Sequence, residues 1–125
     1  DDQDENGPVI CLKTEAKDTI SFSNNAIQSR KHMEYHSLCK SKADRHMEPF
    51  IIDVAPMGDS DFVLSSHEGE EFIMVMEGVM EISYGKFSYI LEEGDSIYYD
   101  SIVPHHVHAY EGRAAKILAV IYTPV

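Results

Sequence analysis

The stretch Ser65-Ser66-His67-Glu68-Gly69-Glu70-Glu71-Phe72-Ile73-Met74-Val75-Met76-Glu77-Gly78 carries both a fold and a chemistry. Its apolar centre is too short for a globular helix and is closed by glycine, as a strand is. Side chains alternate along a strand, so residues two apart share a face. If Gly69 leaves the register intact, His67 and Glu71 look the same way as Ile73 and Val75, and Phe72, Met74 and Met76 look the other way. Both faces are apolar. The strand is therefore expected to be central and covered on both sides, by a second sheet or by a partner chain.

The same pattern continues in both directions. Upstream, Pro49–Pro56 holds Phe50, Ile51, Ile52 and Val54 between prolines, and Met33–Cys39 reads as a further strand. Downstream, strands are expected at Val79–Tyr84, Phe87–Leu91, Ile97–Tyr99, His105–Tyr110 and Ala115–Tyr122, with turns at Gly85-Lys86 and Glu92–Asp95. Turn signals every eight to twelve residues mark a sandwich or barrel. No stretch after residue 46 has a helical period. Near the start, Pro8–Leu12 and Thr19–Phe22 look like short strands joined by a turn over Lys13–Asp18. Residues 1–7 read as an acidic disordered tail or linker remnant, and residues 8–125 as one domain.

Composition narrows the function. Of 125 residues, 10 are Lys or Arg and 22 are Asp or Glu, for a formal net charge of -12. A duplex-binding surface needs many cations to displace counterions from phosphates, so direct binding to nucleic acid or to an anionic membrane is not expected. No apolar run reaches membrane-spanning length. The chain opens on Asp1 without a secretory leader and has two cysteines, Cys11 and Cys39, which suits a cytoplasmic chain with free thiols, trimmed or cut from something longer. No nucleophile–base pair, phosphate-cradling glycine loop or Cys-x-x-Cys is present. Met33, Met47, Met57, Met74, Met76 and Met80 read as adaptable core filling. His32 and His36 with Cys39 have a loose zinc-like spacing but no helical stripe to support it, and they read as surface residues.

His67, three intervening residues, Glu71, six more and Gly78 resemble the first motif of the cupin superfamily. Gly94-Asp95, a short strand and Val103-Pro104-His105 resemble its second motif. The resemblance covers roughly residues 49–123. It implies an all-β cupin double-stranded β-helix, a jelly-roll barrel, and a divalent metal (Zn, Fe, Mn or Ni) held by His67, Glu71 and His105. Two departures stand out. Ser65 occupies the place of the first histidine of the family's His-x-His pair, and Asp100-Ser101-Ile102 replaces its Pro-x-Gly. Two imidazoles and one carboxylate still suffice for an ion with open positions. They can equally line a pocket for an organic ligand, with Ser65, Ile73, Val75 and Tyr98 (Tyr99 being the alternative) around them. By alternation His106 and His108 point away from His105, to solvent or an interface.

Within the superfamily, Lys42–Ile51, His67–Gly78, Gly94–Ser101 and Pro104-His105 look like the C-terminal sensor half of Xre-type helix-turn-helix transcriptional regulators. That resemblance implies a homodimeric module that binds a small-molecule effector and reaches DNA only through an attached domain. A free-standing metal-dependent dioxygenase or isomerase, with Glu71 or a histidine as general base, is the alternative, and a metal-free binding module is a third reading.

Overall fold

The computed structural model describes residues 7–13, 17–18, 32–39, 42–57 and 63–124. Nine strands lie among them: β1 (Lys17–Asp18), β2 (Met33–Ser37), β3 (Met47–Val54), β4 (Glu70–Glu77), β5 (Met80–Tyr84), β6 (Phe87–Leu91), β7 (Ser96–Asp100), β8 (His105–Ala109) and β9 (Ala115–Tyr122). A single 3-10 turn at Tyr110–Gly112 separates the last two. One antiparallel sheet runs β1-β2-β3-β9-β4-β7 and the second runs β6-β5-β8. Among the described residues no helix is long and apolar enough to cross a membrane.

The alternation of β4 is as its residues dictate. Glu71, Ile73 and Val75 are buried, while Met74 and Met76 are exposed. The inner face packs into a core whose most completely buried side chains are Ile52, Met80, Ile82, Ile117, Val54 and Val75, drawn from both sheets. The second sheet covers only that inner face. On the outer face Met74, Met76 and Tyr98 stay open in this chain. Of the methionines read as core filling, Met80 is fully buried, and Met47, Met74 and Met76 are exposed instead. Between Val75 and Glu77 the β4–β9 ladder shifts register, and Glu77, which alternation would turn inward, is exposed.

Three local expectations need correction. Pro8–Leu12 forms no strand: Ile10 is 79% and Leu12 58% exposed, so a strand-like composition has found no sheet edge to bury against. Lys17 and Asp18, expected in a turn, pair with Ser37 and His36 of β2. The expected strand at Thr19–Phe22 and most of the tail lie outside the described residues.

The third correction concerns histidine. All five residues of β8 are buried, so neither His106 nor His108 faces open solvent, and His106 lines the inner cavity. His32, expected at the surface, is buried too and is the reason. It stands just ahead of β2, where its carbonyl accepts from Ala55 N–H at 2.8 Å. Its Nε2–H donates to Val107 O of β8 at 2.7 Å, and its ring stacks on His106 with centroids 5.0 Å apart. One imidazole thus ties β2 of one sheet to β8 of the other. Glu81 accepts from His108 Nε2–H at 3.0 Å. A neutral His108 then offers Nδ1 as acceptor, and His106 Nδ1–H donates to it at 2.9 Å.

This buried cluster is expected to make the barrel acid-sensitive. Burial lowers the pKa of His32, against the raising effect of its bond to Val107, and burial first of all lowers His106 from 6.5 to about 4. The unfolded chain takes up these protons below its ordinary histidine pKa, and the folded chain does not. Stability present at neutral pH is therefore lost as pH falls from 6.5 towards about 4, by about 3 kcal/mol from His106 alone. Urea denaturation at a series of pH values checks this. His32→Gln, which keeps an N–H for Val107 O, is expected to flatten the fall.

Candidate metal centre

Glu71 sits near the start of β4, directly across from Tyr99 of β7. That pairing sends the Tyr99 side chain into the barrel, where its hydroxyl donates to Glu71 Oε1 at 2.5 Å. Tyr98, the neighbour favoured for the pocket, points outward instead and is 68% exposed. Its hydroxyl donates to Glu70. A one-residue difference in a strand exchanges the two faces, and here the inward tyrosine is Tyr99.

His67 precedes β4 in a short segment locked to the β7–β8 loop. Its backbone N–H donates to Ser101 O at 3.1 Å, and Ser101 N–H donates back to Gly69 O at 2.9 Å. Ser101 is fully buried, and its Oγ donates to Glu71 Oε2 at 3.2 Å. The loop that departs from the cupin motif thus supplies its own hydroxyl to the carboxylate. Ser101 belongs to the stretch that replaces Pro-x-Gly, but only the antiparallel pairing of β4 with β7 reveals that it reaches Glu71. His105 opens β8. Its N–H and carbonyl exchange hydrogen bonds with Ser65, at 2.9 and 2.8 Å. Ser65 therefore lies beside the site, joined to it through the backbone.

The three side chains converge. His67 Nε2 lies 3.1 Å and His105 Nε2 3.6 Å from Glu71 Oε2, and their donor atoms all fall within 4.8 Å of one another. Each imidazole is oriented from behind: His105 Nδ1–H donates to Val103 O at 2.7 Å and His67 Nδ1–H to Glu68 O at 3.1 Å. In a neutral ring this leaves the Nε2 lone pair facing the site, the tautomer a metal ligand needs. Two ligands at right angles on an ion, each about 2.1 Å from it, lie about 3 Å apart. The two histidine–carboxylate distances suit that arrangement, so the donor set fits a divalent ion. Burial pushes the Glu71 carboxyl up, but His105, His67 and the Tyr99 hydroxyl together outweigh it and hold the group below the ordinary carboxylate range. It is an anion at neutral pH.

Inside the barrel, polar and apolar side chains share the walls. A cavity of about 30 Å³ is lined by Ser65, Glu71, Ile73, His105 and His106, with Tyr35, Ile117, Ala119 and Ile121 among its other walls. Val75, expected on the pocket, does not line it and packs into the core. His67 stands at the rim, its side chain 27% exposed. The cavity has room for no more than a water or two, so a larger molecule must approach the three ligands from the His67 side.

The description "cupin domain" fits a family model that matches residues 50–121, more than half of the chain. The chain belongs to the cupin family. (S)-2-Hydroxypropylphosphonic acid epoxidase from Streptomyces wedmorensis is 30% identical to this cupin over 92 residues, 69% of the chain and 46% of the relative. The solved structure of that epoxidase superposes with a TM-score of 0.76 at 26% identity, over 97% of this cupin and 62% of the other chain. A structure of Fe(II)-HppE with an alternative substrate gives 0.74 at 26% identity, over 93% and 60%. A helix-turn-helix family transcriptional regulator from Vibrio cholerae gives 0.60 at 24% identity, over 75% and 52%, a likeness of fold alone. This cupin spans about half the length of the curated relative it matches.

The hydrogen bond behind the carboxylate gives a graded test of the metal reading. Tyr99→Phe removes the donor to Glu71 Oε1 and leaves a ring of nearly the same shape. Loss of such an outer partner is expected to weaken metal binding by about 10–100-fold without unfolding the barrel. A calorimetric titration of chelator-treated protein with Co²⁺ measures it, and unchanged affinity would contradict the assigned role of Tyr99.

Proposed function

We propose that this cupin is a mononuclear metal module of an oxidising enzyme, holding a divalent ion of the Fe(II) type through His67, Glu71 and His105 and admitting a small substrate at the ion's remaining positions. The observation that carries this reading is the pair of imidazoles, both anchored through Nδ1, converging on Glu71 Oε2. The similarity to an epoxidase with Fe(II)-bound structures supports it. When bound, the ion supplies a Lewis acid and, as iron, a redox centre for oxygen chemistry. The chain's own residues do the rest. Tyr99 and Ser101 hold the carboxylate still, and Val103 O and Glu68 O hold the rings.

The sensory role implied by the resemblance to helix-turn-helix regulators draws support from the shared fold with the Vibrio cholerae protein. It would use the same rim and the same pocket. Oxygen uptake separates the two. Iron-loaded protein offered short-chain hydroxylated acids, phosphonates among them, is expected to consume oxygen with substrate-dependent turnover that vanishes in His67→Ala. Stoichiometric binding of such compounds with no turnover would favour the sensor.

A further inference from the structure

A second cluster of metal-binding residue types lies on the opposite surface of the same sheet. Glu34 and His36 are two apart on β2, so they share its outer face, and Asp53 of β3 is the cross-strand partner of Glu34. The alternate residues Tyr35 and Ile52 point inward and are buried, at 7% and 2% exposure. The three outer side chains thus stand on two strands that the core holds in fixed register. His36 Nε2 is 2.9 Å from Asp53 Oδ2 and 3.9 Å from Glu34 Oε1. The donor atoms of all three lie within 4.8 Å of one another.

Both carboxylates approach the same ring nitrogen, and one N–H serves one of them at 2.9 Å, with the other beyond hydrogen-bond range. A divalent ion serves both. Ligands on a tetrahedral zinc ion, each about 2.0–2.1 Å from it, are about 3.3 Å apart. The two distances bracket that spacing. Beside the cluster runs an open groove of about 640 Å³, lined by Glu34 and Asp53 along with Glu77, Lys116 and His32, which gives an ion's remaining positions access to solvent. The chief competitor is Lys116, whose Nζ lies 3.8 Å from Asp53 Oδ1.

We infer that Glu34, His36 and Asp53 form a second divalent-cation site, of zinc type, on the outer face of the larger sheet and independent of the barrel centre. Zinc there would clamp β2 to β3, the pair next to the short edge strand β1.

The test is a zinc titration of chelator-treated protein by calorimetry, alongside NMR of the His36 ring. His36→Ala is expected to bind one equivalent fewer than wild type, whatever number the barrel binds. Asp53→Asn is expected to lose the same equivalent, and Lys116→Ala to bind it more tightly because a competing cation is gone. The His36 ring signals are expected to move and then saturate as zinc is added. Circular dichroism shows whether each variant keeps its sheet, and Asp53→Asn, close in shape, stands in should His36→Ala fail to fold. An equal number of equivalents in wild type, His36→Ala and Asp53→Asn, with His36 signals that do not move, overturns the inference.

Discussion

Glu71→Gln is expected to cost this cupin its barrel metal. The substitution keeps the shape of the side chain and one acceptor oxygen, for the Tyr99 or the Ser101 hydroxyl, while the other hydroxyl can turn to accept from the new NH2, so the pocket walls have no reason to collapse. It removes the negative charge on which His67 and His105 converge. An amide oxygen is a far weaker donor to a divalent ion than a carboxylate, and affinity is expected to fall by more than about 100-fold, beyond the loss for an outer partner. The metal-free fold should suffer much less, because the amide is close in shape to the carboxylate it replaces. Calorimetric metal titration and urea denaturation of the same variant separate the two effects. Affinity that survives Glu71→Gln would mean the ion, if bound, is held elsewhere.

The second large effect is expected at Gly69. Its φ of +124° lies where side chains rarely go, and a Cβ there would stand 2.0 Å from the carbonyl oxygen of Tyr122. The obstacle is backbone at the end of the β4–β9 ladder, next to the Glu70–Tyr122 pair, so nothing flexible can move aside. Gly69 O also receives the Ser101 N–H, and His67 lies two residues upstream. Gly69→Ala is therefore expected to destabilise the barrel by about 4 kcal/mol or more and to displace His67. Gly94 is the control. It too has positive φ, +88°, but a Cβ there meets nothing within 4 Å. Gly94→Ala is expected to cost only the conformational penalty of about 1–2 kcal/mol. Equal losses in the two variants would contradict the steric account.

How far the sequence could be read depended on whether each feature was local. β4 to β9 are legible because alternation and glycine or proline punctuation act over a few neighbours. Their ends moved by one residue at most, as for β5, which starts at Met80 instead of Val79. His67, Glu71 and His105 are legible because motif spacing singles them out. Tyr98 and Tyr99 are not separable that way. Both are tyrosine, and only the pairing of Glu71 with Tyr99 across two strands decides which one enters the barrel. The burial of His106 and His108 was hidden for a similar reason, since it depends on His32, more than seventy residues upstream. Pro8–Leu12 shows the converse, a strand-like composition that no neighbouring edge receives. The Glu34, His36 and Asp53 cluster likewise exists only through the β2–β3 register.

The central claim is that three side chains hold one ion. Diffraction from crystals of iron-loaded protein, collected at the iron absorption edge, tests it most directly. The account predicts one strong anomalous peak about 2.0–2.2 Å from His67 Nε2, Glu71 Oε2 and His105 Nε2. No anomalous peak between those residues, or an extended organic density in its place, would contradict it.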